Sequence, residues 1–70
     1  MTVIRAPVTG SVWSIEVAVG DTVAADQTVL YLESMKLQIP VDADEAGRVA
    51  RIAVAAGDTV RENDVLVELG

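Results

Sequence analysis

Lys36 is the only lysine of the chain, and it lies near the midpoint of the 70 residues, in the run Glu33-Ser34-Met35-Lys36-Leu37-Gln38-Ile39-Pro40. A lysine amine forms a stable amide with a carboxylic acid, and its four-carbon stem lends reach to whatever is joined to it. Acylation also removes a positive charge. A lone exposed lysine is ordinarily no more than a solvated charge, but two features set this one apart. Every other basic position is an arginine (Arg5, Arg48, Arg51 and Arg61), so amide chemistry on side chains is confined to Lys36. Met35 and Leu37 also place apolar side chains on both sides of it, at a predicted turn where polar residues are the rule. Exposed apolar side chains can mark a recognition surface. Glu33 has two readings, a recognition contact or a solvated carboxylate, and Gln38 has a weaker claim.

The remaining composition narrows the alternatives. The chain contains no Cys and no His, which removes disulfides, thiolate metal sites and the commonest general base. A hydrolase would have to rely on carboxylates alone, and no pair stands out. Asp42, Asp44 and Glu45 form a charge run without the spacing of a calcium loop and read as solvated. Net charge is −6, with five Lys and Arg against eleven Asp and Glu. Nucleic-acid binding needs clustered cations, and only Trp13 and Tyr31 are available to stack on bases. No nucleic-acid partner is expected, and the acidic surface reads as a solubilising one. Trp13, the single tryptophan, reads as a packed, partly exposed structural residue. Uncharged apolar runs fall far short of a bilayer span. The opening Met1-Thr2-Val3-Ile4-Arg5-Ala6-Pro7 lacks the basic-then-apolar order of a leader. The expectation is a cytoplasmic chain without disulfides, one domain over residues 1–70, monomeric in isolation.

What positions Lys36 is a sequence written twice. Ala6 aligns with Ala43, Gly10 with Gly47, Val12 with Val49, Ile15 with Ile52 and Val17 with Val54. Gly20-Asp21-Thr22-Val23 then repeats as Gly57-Asp58-Thr59-Val60, and Leu32 meets Leu69. Two copies are too few for a solenoid, so the halves, about 6–33 and 43–70, are read as intertwined about a pseudo-twofold axis. Apolar positions 12, 15 and 17, repeated at 49, 52 and 54, break strict alternation by a step of three, which predicts a β-bulge in each half. Gly20 and Gly57 suit tight turns with positive φ. Asp26-Gln27 and Asn63-Asp64 occupy a second matched turn, where Asp and Asn tolerate left-handed backbone. Strands over Thr28–Glu33 and Val65–Leu69 close the halves. Which side of them faces the core stays open, because Val29, Leu30 and Leu32 do not alternate. Pro40, lacking an N–H, is expected to limit strand pairing after the tip. The fold class is all-β, a flattened barrel or sandwich of roughly eight short strands. Lys36 then sits at an exposed hairpin tip where the halves join.

With these motifs in place, the chain resembles the biotinyl/lipoyl attachment-domain family over essentially its whole length. Glu33-Ser34-Met35-Lys36-Leu37 resembles the biotin motif Glu-(Ala/Ser)-Met-Lys-(Met/Leu), Ala6-Pro7-x-x-Gly10 the opening turn, and the two Gly-Asp-x-Val segments the repeated turn. Asp26 and Asn63 stand where the family usually has Gly, and Leu37 replaces a common Met with little change of volume. The resemblance implies a hammerhead of two four-stranded antiparallel sheets. It implies biotin joined to Lys36 by a biotin protein ligase, with Met35 and Leu37 as flanking recognition residues and Glu33 as a candidate ligase contact. It further implies a non-catalytic carboxyl carrier serving a biotin carboxylase and a carboxyltransferase. Val17-Ala18-Val19-Gly20 matches Val54-Ala55-Ala56-Gly57 in length, so the thumb insertion of one class of biotin carriers has no place here. Lipoyl domains typically carry Asp-Lys where this chain has Met35-Lys36, which makes lipoate the alternative cofactor. An unmodified interaction module is the third reading.

Overall fold

Segments rich in valine and threonine extend because branched side chains suit a pleated surface. In the computed structural model, which describes residues 2–70, they form eight strands. These are β1 (Thr2–Arg5), β2 (Gly10–Ile15), β3 (Thr22–Val23), β4 (Thr28–Ser34), β5 (Leu37–Asp42), β6 (Gly47–Ile52), β7 (Thr59–Val60) and β8 (Val65–Leu69). Met1, where both the leader reading and the 1–70 domain begin, lies outside the described residues. The strands build two four-stranded sheets, ordered β1-β8-β6-β3 and β5-β4-β2-β7. All six pairings are antiparallel, which is the sandwich the repeat calls for.

The halves interlock through their turns. The Val12 N–H donates to the Asp58 carbonyl, and the Gly57 N–H donates to the Val12 carbonyl, both at 2.8 Å. The mates do the same at 2.8 Å, Val49 N–H to Asp21 and Gly20 N–H to Val49. Each half therefore satisfies backbone groups that the other leaves open. Gly20 and Gly57 have φ of 96° and 93°, and Asp26 and Asn63 have 67° and 75°. The left-handed positions thus fall on the expected residues. The Asp21 and Asp58 carboxylates accept from the Ala18 and Ala55 N–H groups, each at 2.9 Å. Asp21→Ala and Asp58→Ala are each expected to cost about 1 kcal/mol, with closely matched drops in urea midpoint. A large difference between them would break the equivalence of the two turns.

The core is aliphatic and built from repeat mates. Val12 and Val49, Val29 and Leu66, Leu30 and Val67, and Leu32 and Leu69 are all at most 2% exposed. The step of three resolves into bulges, because the ladder slips between Val12 and Ser14 in β2 and between Val49 and Arg51 in β6. Trp13 and Ala50 are the extra residues. A second pair of slips settles what periodicity leaves open. The ladder shifts between Thr28 and Leu30 in β4, and beside Leu66 in β8. Val29 and Leu30 are both fully buried in consequence. Strand β4 extends one residue past the expected end, to Ser34.

Pro40 does not limit pairing as expected, since β5 runs through it to Asp42 with Pro40 opposite Tyr31. The reason is its place. Strand β5 is an edge, and alternation counted from the closing pair Ser34/Leu37 puts Pro40 at a non-hydrogen-bonded position. Its missing N–H therefore faces away from β4 and removes no ladder bond. Asp42 and Glu45 serve separate partners. The Thr28 hydroxyl donates to Asp42 at 2.6 Å, and the Thr2 hydroxyl donates to Glu45.

Candidate cofactor-attachment site

Strands β4 and β5 pair from Thr28/Asp42 to Ser34/Leu37, which leaves Met35 and Lys36 as a two-residue loop. Both have positive φ, 54° and 67°. This is the backbone sense that matches the right-handed twist of a hairpin. Asn and Gly ordinarily fill such a loop. A larger side chain in left-handed backbone costs roughly 1–2 kcal/mol per residue, and such strain persists where the surroundings over-determine it, often at functional sites. Here β4 provides the constraint, being paired on one side with β5 and on the other with β2.

The tight loop puts Lys36 at the apex of the hairpin, where it is exposed. Among the described residues it enters no hydrogen bond or ion pair. Met35 is 92% and Leu37 65% exposed, so two apolar side chains flank the amine in solvent. The fold thus brings Met35, Lys36 and Leu37 together, and it sets Glu33 apart. Glu33 is half-buried, opposite Gln38 on β5 and Ser11 on β2. It points to the outer face of the sheet, since Leu32 beside it points into the core. Trp13 is partly exposed, at 55%, and meets the Tyr31 ring edge to face.

Two features of the site escaped sequence reading. One is the strain at Met35 and Lys36, which no residue type announces, because neither is Gly, Asn or Asp. The other is the role of Gly10. A Cβ built on Gly10 would lie 2.5 Å from the Glu33 carbonyl oxygen. Backbone thus passes backbone just below the tip of the hairpin, and only glycine fits. Its mate Gly47 faces the Leu69 side chain at a looser 3.2 Å. The signal was present in the Gly10/Gly47 alignment, which read only as part of a turn.

These residues fit a covalently held acid. One side-chain amine stands at a rigid apex, with its neighbours in the ladder bonded to one another and not to it. Known proteins with this architecture point to the same group. The model of the biotin/lipoyl family described as "Biotin-requiring enzyme" matches residues 2–69. The chain is 45% identical over 60 residues to the biotin/lipoyl attachment protein of Bacillus subtilis, covering 86% of this chain and 82% of that one. It is 39% identical over 64 residues to the biotin carboxyl carrier protein of Streptococcus mutans, covering 91% of this chain and 49% of the relative. Urea carboxylase of Kluyveromyces lactis contains a superimposable region, with TM-score 0.93 and 32% identity, covering 99% of this chain and 6% of the enzyme. The lipoyl domain of the 2-oxoglutarate dehydrogenase complex of Azotobacter vinelandii superimposes with TM-score 0.82 and 28% identity, covering 100% and 96%. With the family model spanning nearly the whole sequence and a relative of similar length this close, the chain belongs to the biotinyl/lipoyl attachment family.

Proposed function

We propose that the chain is a biotin carboxyl carrier and that Lys36 holds biotin through an amide. The observation that carries this is the single amine at the strained apex between Met35 and Leu37. Bound biotin supplies a ureido nitrogen that takes up and gives off a carboxyl group. The chain's own contribution is mechanical. The hairpin fixes the root of the arm, and the lysine stem leaves its end free. A tether of this kind keeps an attached group at an effective concentration of the order of mM near each site it visits. The carrier catalyses no step.

In this reading a biotin protein ligase approaches the tip and meets the exposed Met35 and Leu37, with Glu33 as a further contact on the outer face. A biotin carboxylase and a carboxyltransferase then receive the loaded arm in turn. The carrier is a cytoplasmic monomer between these visits. Support comes from the carboxyl carrier and the carboxylase among its relatives. The test is incubation of the purified chain with biotin, ATP and biotin protein ligase, followed by a streptavidin blot. A chain left unlabelled while a control carrier is labelled overturns the proposal.

The similarity to a lipoyl domain supports lipoate as the second reading. Met35 discriminates between them by chemistry. Its uncharged, polarizable side chain is 92% exposed beside the amine, where a carboxylate would place a charge. Met35→Asp is expected to slow biotinylation at least about tenfold, the equivalent of roughly 1.4 kcal/mol, and to raise lipoylation by a lipoate ligase. Rates unchanged for both enzymes would remove Met35 from recognition.

A further inference from the structure

The two sheets share one core but differ on their outer faces, and the repeat makes that difference an internal control. On the sheet that carries Lys36, Trp13 and Tyr31 meet edge to face, with ring centroids 6.1 Å apart and planes at 90°. Tyr31 lies opposite Pro40 on the edge strand, so ring follows ring across the outer face. At the matching positions the other sheet has Ala50, Glu68 and Val3. Glu68 is held there by Arg51 at 2.8 Å. Both sheets carry the same bulge, at Trp13 and at Ala50. Over Ala50 the surface is an open hollow of about 310 Å³, lined by Val19, Gly20, Arg48, Val49, Ala50 and Gly70. The sandwich therefore needs no aromatic cover over this bulge, and folding alone does not account for a tryptophan left 55% exposed.

We propose that the Trp13–Tyr31–Pro40 face is a resting site for the ring system of the biotin on Lys36. This rests on Lys36 being the attachment site. Three observations select that occupant. The face lies on β4 and β5, the strands joined by the Lys36 turn, and Tyr31 is roughly 10 Å along β4 from its last residue, Ser34, at about 3.3 Å per residue. A lysine stem lengthened by a valeryl chain spans such a distance. The surface also suits the group chemically. A thioether packs well against aromatic rings, and Glu33 and Gln38, which oppose each other on the same face nearer the tip, lie along the path of the arm. Finally, the tether makes a weak site sufficient, since a ring held locally at mM concentration occupies a site of mM affinity. The resting ring leaves whenever a partner offers a better site, so the arm is shielded from water between visits without being locked.

The test uses the whole chain, unmodified, biotinylated by the ligase and confirmed by intact mass, and acetylated on Lys36 as a control. Trp13 is the only tryptophan, so its indole N–H gives one resonance. Biotinylation is expected to shift that resonance and those of the Tyr31 ring, with cross-relaxation between these rings and the biotin ring, whereas acetylation does neither. Trp13→Ala is expected to speed avidin capture of the holo-protein about twofold, as a ring resting half the time is released. Shifts confined to residues 34–38, or capture unaffected by Trp13→Ala, overturn the resting site. Slower carboxylation by a carboxylase with no change in capture would assign the face to a partner protein and also overturn it. If the ligase leaves Lys36 unmodified, the attachment reading fails separately. Chemical acylation of the sole lysine with an activated biotin ester, on a chain whose N-terminal amine is blocked, then puts the same ring on the same amine, and the same two readouts decide.

Discussion

Replacing Lys36 with arginine is expected to abolish biotin attachment and to leave the fold as it is. Arginine keeps the charge and most of the length, but its guanidinium is not acylated by a biotinyl-adenylate. The chain holds no second side-chain amine to take over. On the structural side, Lys36 is exposed and sits at φ 67°, a conformation that costs arginine what it costs lysine. Surface substitutions of this kind stay within about 0.5 kcal/mol. Streptavidin blotting after ligase treatment reads the first effect and thermal unfolding the second. Persisting label would move the attachment site to the N-terminus. A loss of stability well above 1 kcal/mol would make Lys36 a structural residue.

Gly10→Ala is expected to be the most damaging single-methyl change in the chain. The new Cβ would lie 2.5 Å from the Glu33 carbonyl oxygen, and neither atom can turn away, because one is on β2 and the other on β4. The strands must part just below the tip of the hairpin. Forced overpacking of this sort costs typically 1–3 kcal/mol. A domain of this length is stable by about 0.05–0.15 kcal/mol per residue, so much of its margin would be lost. Gly57→Ala is the matched control. Gly57 has φ 93° and nothing within 4 Å of the added methyl, so the cost is conformational, about 1–2 kcal/mol. Urea unfolding of the two variants should place Gly10→Ala below Gly57→Ala. Ligase treatment at low temperature should show slower biotinylation only for Gly10→Ala, since only there does the hairpin move. The reverse order of stabilities would mean that β2 and β4 separate easily.

Most of this architecture is legible in the residues, and the reason is the repeat. A bulge inferred once from positions 12 and 15 is weak, but the same step at 49 and 52 makes it specific. The left-handed turns were legible because Gly20, Gly57, Asp26 and Asn63 are residue types that tolerate positive φ. Met35 and Lys36 adopt the same backbone and were not legible, because there the ladder of β4 and β5 overrides residue preference. The burial of both Val29 and Leu30 was equally hidden, since a bulge that turns two neighbours inward leaves no periodic trace. Pro40 misled through its chemistry. A missing N–H limits pairing only if it faces a neighbouring strand, and no local pattern says that β5 is an edge.

The claim that Lys36 carries biotin is tested most directly by the intact mass of the protein purified from cells with an active ligase, with the adduct located by peptide fragmentation. The expected result is one biotin amide on Lys36 and none on the N-terminus. A lipoyl adduct on Lys36, or an unmodified Lys36 from cells in which other carriers are biotinylated, would contradict it.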